Sequence, residues 1–185
     1  MAVIFTRENN YLSTISDMAD MFQIPMALIL AHGKAESDFD PNAVRMEPAI
    51  NDQSTGIMQL LLSTAKSLDS NATIASLYDP SYNIYLGSML ISKNLSKANG
   101  NIQDEAAMYN SGVALKNAQG KYVSRSGNDV QTYVDRIVKY YNMYQDWLSR
   151  GSPEVDIESI DPSDILMIGG ITFAVVMMII YGRHK

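Results

Sequence analysis

Cysteine is absent from the 185 residues. That excludes disulfides, thiolate nucleophiles and cysteine-ligated zinc, and it is compatible with either redox compartment. Histidine is nearly absent too: only His32 and His184 occur, too few for a histidine-built metal site. Positive charge is not in excess. The formal net charge of −6 provides no general basic field for a polyanion and argues against a nucleic-acid partner. The opening MAVIFTRENN lacks the basic flank, long apolar run and small-residue cleavage site of a secretory signal, so conventional export is not expected. Glu, Asp, Tyr, Ser and His are left for chemistry, and no cofactor is called for.

What is present is one domain's worth of helical pattern followed by a tail. Apolar residues recur at helical spacing at Tyr11, Ile15 and Met18, at Ile84, Met89, Leu90 and Leu95, and at Tyr133, Ile137, Tyr140, Tyr141 and Tyr144. Alternating strand-like runs are scarce. Gly/Asn-rich joints at 99–101 and 120–128 separate the helices, the second with room for a small hairpin around residues 121–124. The pattern predicts a mainly α domain over residues 1–147, without repeats. Residues 148–164 are acidic, carry Pro153 and Pro162 and keep no apolar period, which predicts a flexible linker. Residues 165–181, ILMIGGITFAVVMMIIY, are uncharged and apolar on every side. Seventeen helical residues reach about 26 Å, close to the hydrocarbon thickness of a bilayer. A transmembrane helix over 165–182 with a basic tail, 183–185, is therefore expected. The other reading of this segment is a buried or subunit-contact helix. The basic end would face a cytoplasm, or the interior of a virus particle that inherited its membrane from one.

The segment PMALILAHGKAE, ending at Glu36, begins with proline, which suits a first helical turn, and has no polar side through Ala31. It predicts a central buried helix, ended before Pro41. Glu36 then lies at its C-terminal end, where partial desolvation and the negative end of the helix dipole both disfavour the carboxylate. A general acid working near neutrality needs such a shift. On this segment alone, an ordinary glutamate paired with Lys34 or Arg45 is the plainer reading. His32 lies one turn earlier, and His-x-x-x-Glu could hold a metal, but no third ligand exists. We read His32 as a hydrogen-bonded helix residue and expect no metal.

Glu36-Ser37 followed by Phe39, Pro41, Asn42 and Ala43, then Gly56-Ile57-Met58-Gln59-Leu60 with Ser63-Thr64-Ala65, then Asp79-Pro80, Asn83-Ile84 and Gly87, then Ala106 through Gly112 (AAMYNSG), then Tyr133-Val134 and Ile137 stand in order along the chain. Together they resemble the soluble lytic transglycosylase domain, bacterial relatives of goose-type lysozyme, over about residues 20–147. Leu62, Met89 and Val113 depart from common residues of that family at supporting positions.

The resemblance implies a lysozyme-like fold and a peptidoglycan lytic transglycosylase. Glu36 would protonate the oxygen of the β-1,4 bond between N-acetylmuramic acid and N-acetylglucosamine, then take the proton of the muramic 6-hydroxyl as it closes to a 1,6-anhydro end. Gln59 would bind an acetamido sugar, and Tyr109 and Asn110 would line the cleft near Glu36. Ser37 would support the cleft floor or cap the helix. Tyr133 would approach the catalytic glutamate or pack in the core. Hydrolysis by water would need a second carboxylate at about 5–9.5 Å. Asp38, Asp40 and Asp52 are its possible sources, the first two in the turn after Glu36 and the third in a polar loop.

A muramidase without an export signal, anchored by its tail, suits a bacteriophage virion that carries its own enzyme for opening the wall during genome delivery, alongside other virion proteins. A bacterial inner-membrane enzyme facing the periplasm is the alternative setting. A structural virion or membrane protein keeping the fold as a glycan-binding or assembly module is the alternative function.

Overall fold

Ala27 through Gly33 are seven consecutive buried residues, as a helix without a polar side must be. The structure, a computed structural model, describes residues 7–150. Helix α2, Met26–Ser37, starts immediately after Pro25, whose extended backbone caps it. Helix α6, Gln131–Ser149, lies along α2 and turns Tyr133, Val134, Ile137 and Tyr144 inward. Helix α1, Leu12–Phe22, and helix α4, Pro80–Lys97, also pack on α2, and α5, Ile102–Ser111, packs against α4 and α6. Leu28, Ile29 and Leu30 have no exposed surface. Burying each stabilises by about 1.5–3 kcal/mol, which offsets the backbone entropy of fixing that residue, about 1–2 kcal/mol. Leucine-rich α2 is thus the centre of the core.

Two polar residues start the helices that carry the later motifs. Asp79 accepts from Tyr82 N at 2.8 Å and is followed by Pro80 at the first position of α4. Asn101 accepts from Gln103 N and Asp104 N at 2.9 and 3.0 Å and opens α5. Each satisfies main-chain donors that a helix start leaves unpaired. Glu8, buried just before α1, accepts from Tyr144 Oη at 2.6 Å and lies 3.4 Å from Lys34 Nζ, which ties the chain start to α6 and α2.

The scarcity of strands is only partly right. Strands β1, Val44–Glu47, β2, Asp52–Thr55, and β3, Leu60–Leu61, form an antiparallel sheet in that order, with Val44 opposite Thr55 and Glu47 opposite Asp52. VRME and DQST escape a pattern search because they are four residues each and β1 is largely exposed, so no apolar alternation is required. Asp52 accordingly stands in a strand, not a loop. Beside it, α3, Leu62–Leu68, continues directly from β3. A small hairpin is present as β4, Leu115–Lys116, paired with β5, Tyr122–Val123; only its second strand lies in the expected range, 121–124, and the hairpin begins before the joint.

Helix α6 continues to Ser149, so Leu148 and Ser149 belong to a helix and not to the linker. The rest of the expected linker, the transmembrane helix over 165–182 and the basic tail lie outside the described residues. Among the described residues, no helix is long and apolar enough to cross a membrane.

Candidate active site

Helix α2 stops at Ser37 because Asp38 and Phe39 both adopt left-handed backbone angles, φ 55° and 58°. Non-glycine residues pay about 1–3 kcal/mol for such angles, so burial must hold them there. The reversed chain buries the Phe39 ring against Gly33, where an added Cβ would come within 2.6 Å of the ring. This leaves Glu36 on the last turn with its carboxyl partly open to a cleft. Neither cation suggested by sequence neutralises it. Lys34 pairs with Asp38 at 2.5 Å and approaches Glu8, and Arg45 pairs with Glu47 at 2.5 Å. The partner of Glu36 is Tyr133, whose hydroxyl donates to Oε1 at 2.6 Å.

Desolvation raises the Glu36 pKa above its ordinary value. The Tyr133 hydrogen bond and the fields of His32, Arg45 and Arg136 oppose the rise without cancelling it. Burial also pushes the hydroxyls of Tyr109 and Tyr133 well above the usual range, with the Glu36 charge adding to it. Both therefore remain neutral hydrogen-bond donors. The site holds a carboxyl biased towards its acid form, supported by groups that do not compete for its role.

The loop from Gly56 to Gln59 faces this carboxyl and is clamped from several sides. Ser37 Oγ donates to Ile57 O at 2.8 Å and also accepts from Asp40 N at 3.1 Å, so it supports the loop and caps the helix end at once. Tyr109 Oη donates to Met58 O at 2.8 Å. Buried Asn83 accepts from Met58 N at 2.7 Å and donates to Thr55 O and Leu77 O at 2.9 and 3.0 Å. Gly56, at φ 79°, presses so closely on this amide that a Cβ would lie 2.5 Å from Asn83 Nδ2 and 2.6 Å from Leu77 O. Gln59 itself sits at φ 43°, and its Nε2 donates to Ala43 O and Gly56 O at 2.9 and 3.0 Å. Its amide donors are therefore committed to the loop, which leaves Oε1 as the atom open to a ligand.

A cleft of about 480 Å³ opens over Glu36, walled by Arg45, Glu47, Gln59, Tyr109 and Asn110. Asn110 is exposed in it. A more open groove of about 550 Å³ between Pro25 and Asp146 contains none of these residues. The three aspartates considered for a second carboxylate have other work. Asp38 holds Lys34, and Asp40 accepts from Asn42 N at 2.9 Å. Asp52 accepts from Leu62 N and Ser63 N, both at 3.1 Å, at the start of α3. Desolvation raises its pKa, but hydrogen bonds from Ser63, Gln53 and Leu62 outweigh that and leave it below the ordinary range.

Residues 13–131 match the family model described as the Transglycosylase SLT domain. The chain belongs to this family. Two solved structures share the SLT fold. One is an inactive mutant of the lytic transglycosylase Slt from Pseudomonas aeruginosa, 24% identical with a TM-score of 0.60, covering 74% of this chain and 24% of that one. The other is the 70 kDa soluble lytic transglycosylase from Escherichia coli, 21% identical with a TM-score of 0.61, covering 75% of this chain and 24% of that one. The chain thus spans about a quarter of either structure's length.

Glu36, Gln59, Tyr109 and Asn110 of this SLT domain come together on one cleft, with Ser37 and, just past the matched residues, Tyr133 behind it. Three participants were not singled out from sequence. Asn83 reads from sequence only as part of a helix start, with nothing to mark its amide as buried. Glu47 lines the cleft, and Glu105 is buried behind it. Neither stands in a pattern that marks it.

Proposed function

We propose that this chain is a lytic transglycosylase cutting the β-1,4 bond between N-acetylmuramic acid and N-acetylglucosamine in peptidoglycan, with a 1,6-anhydro product. The observation that carries the reading is the Glu36 carboxyl, held towards its acid form by burial, oriented by Tyr133 and open to the cleft. As acid, Glu36 gives its proton to the glycosidic oxygen while the bond to the anomeric carbon breaks. As base, it takes the proton of the muramic 6-hydroxyl while that oxygen bonds to the same carbon. Glu36 ends protonated, ready for the next cut, and one carboxyl suffices. Asn110 and the Oε1 of Gln59 are placed to bind sugar amide and hydroxyl groups.

Glu47 favours a second reading, hydrolysis, because it supplies another carboxyl on the cleft wall. Its ion pair with Arg45 weighs against it as a free base. Mass spectrometry of purified peptidoglycan after digestion decides among the readings. Anhydro-muropeptides are expected; reducing-end products would make it a hydrolase, and absence of products would leave a glycan-binding module.

We place the enzyme on a membrane through residues 165–182, in a bacteriophage particle where it opens the wall locally for genome delivery. The support for the anchor is the uncharged apolar segment flanked by Asp164 and Arg183. The full chain should float with phospholipid vesicles, and a chain lacking residues 164–185 should stay behind. Equal flotation of the two would remove the anchor.

A further inference from the structure

His32 and Glu105 are both fully buried, and the proposed reaction uses neither. They are nonetheless joined to its acid by an unbroken chain. Glu105 Oε2 lies 2.9 Å from His32 Nε2, His32 Nδ1 lies 3.1 Å from Tyr133 Oη, and Tyr133 Oη lies 2.6 Å from Glu36 Oε1. The imidazole is wedged against the Tyr109 ring, 4.2 Å between centroids, so both nitrogens keep their partners. Glu105 Oε1 is buried with no hydrogen-bond partner among the described residues. A side chain retained only to fill space would not leave a carboxyl oxygen in that condition, because an unpaired buried polar atom costs about 1–3 kcal/mol.

The Tyr133 hydroxyl has one proton and two neighbours that want it. When that proton points at Glu36, the oxygen needs a donor from behind, and His32 Nδ1–H is the one available. When it points at a bare Nδ1, the oxygen can instead accept from protonated Glu36. The direction of the hydrogen bonds therefore has to reverse as Glu36 changes form.

We infer that His32, anchored by Glu105, is a positioning residue for Glu36 and exchanges a proton with it through Tyr133. In the exchange, Nδ1–H breaks as Oη–H forms, and the original Oη–H breaks as Oε1–H forms. Imidazolium and Glu36 carboxylate become neutral imidazole and carboxylic acid. The Nε2–H stays on the Glu105 carboxylate, and total charge is unchanged. The charged and titratable groups facing this chain are Tyr109 on α5, Arg136 on α6, and Arg45 with Glu47 on β1.

This inference rests on the reading of Glu36 as acid and base, but NMR tests it without any substrate. The full chain in detergent solution is labelled at the histidine ring nitrogens, with a His184→Ala variant to assign the signals. The His32 ring-nitrogen signals in wild type are expected to follow the ionisation of Glu36 and to lose that step in Glu36→Gln, since linked groups titrate together. In Tyr133→Phe, the Nδ1 signal should lose its response to Glu36. Glu105→Gln, nearly isosteric, should lower kcat about tenfold with KM unchanged and displace the pH profile. Identical His32 titrations in wild type and Glu36→Gln would overturn the relay, as would a Glu105→Gln pH profile that stays in place while activity follows only the folded fraction. Unlinked titration together with anhydro products would overturn the relay and leave the proposed function standing. Linked titration without cleavage would support the relay and remove the enzyme.

Discussion

Glu36→Gln is expected to lower peptidoglycan cleavage by about 10²–10⁴-fold, the usual contribution of a general acid and base, while glycan binding persists. Glutamine keeps the shape of the side chain and the oxygen that accepts from Tyr133, but it carries no transferable proton. The same substitution should alter stability in the opposite sense. Burial raises the Glu36 pKa on folding above its ordinary value. A raised pKa means that the native state binds the proton more tightly than the unfolded chain. The associated stability is fully present below the unfolded pKa and is lost as pH rises through the folded one. Glutamine does not ionise and escapes that loss. Thermal unfolding of the two proteins between about pH 4 and 8 should therefore show the variant gaining on wild type as pH rises. Undiminished cleavage by the variant would end Glu36's assignment as the acid. A stability difference that stays flat with pH would remove the argument from burial.

Asn83→Ala is expected to have the largest effect on stability of any polar substitution near the cleft. Its side chain satisfies Met58 N, Thr55 O and Leu77 O without being exposed at all. Alanine leaves three main-chain groups buried and unpaired and opens a small cavity. We expect a loss of about 3–4 kcal/mol, read as a fall of roughly 10 °C in Tm. Cleavage should decline further than the folded fraction does, because the loop bearing Met58 and Gln59 loses its tie to α4. Chemical denaturation at a temperature where both proteins are folded measures the first effect, and turnover per folded molecule the second. A destabilisation below about 1 kcal/mol, the worth of a single exchanged hydrogen bond, would show that the loop is held by other contacts.

The two substitutions act on residues of very different legibility. Glu36 stood at the end of a helix that had to be central, but it was singled out as the acid only through the resemblance carried by Glu36-Ser37, Gln59, Tyr109 and Asn110. Asn83 could not be singled out, since an asparagine in a helix reads as a surface residue until its partners at Thr55 and Leu77 are known. Gln59 was legible as a cleft residue, yet its donors turned out to be committed to Ala43 and Gly56, which narrows what it can offer a sugar. Asp52 looked like a loop aspartate and a possible second carboxylate, and it holds the start of α3 from a strand. Glu47 was invisible because β1 has no apolar alternation to announce a strand, and its place on the cleft wall follows from that strand.

Local pattern alone specified a mainly α domain over residues 1–147, a buried helix opened by Pro25 and ended before Pro41, and Glu36 on its last turn. These rest on spacings of three to four residues and on prolines at helix boundaries, features that a short window contains. It took the packing of α2, α5 and α6 to make Tyr133, 97 residues away, both a core ring and the partner of Glu36, and to bring Glu105, 73 residues from His32, into the chain behind it. A hydrogen bond between helices depends on their relative rotation to within an ångström. That rotation is set by the packing of the whole core, which no local pattern encodes.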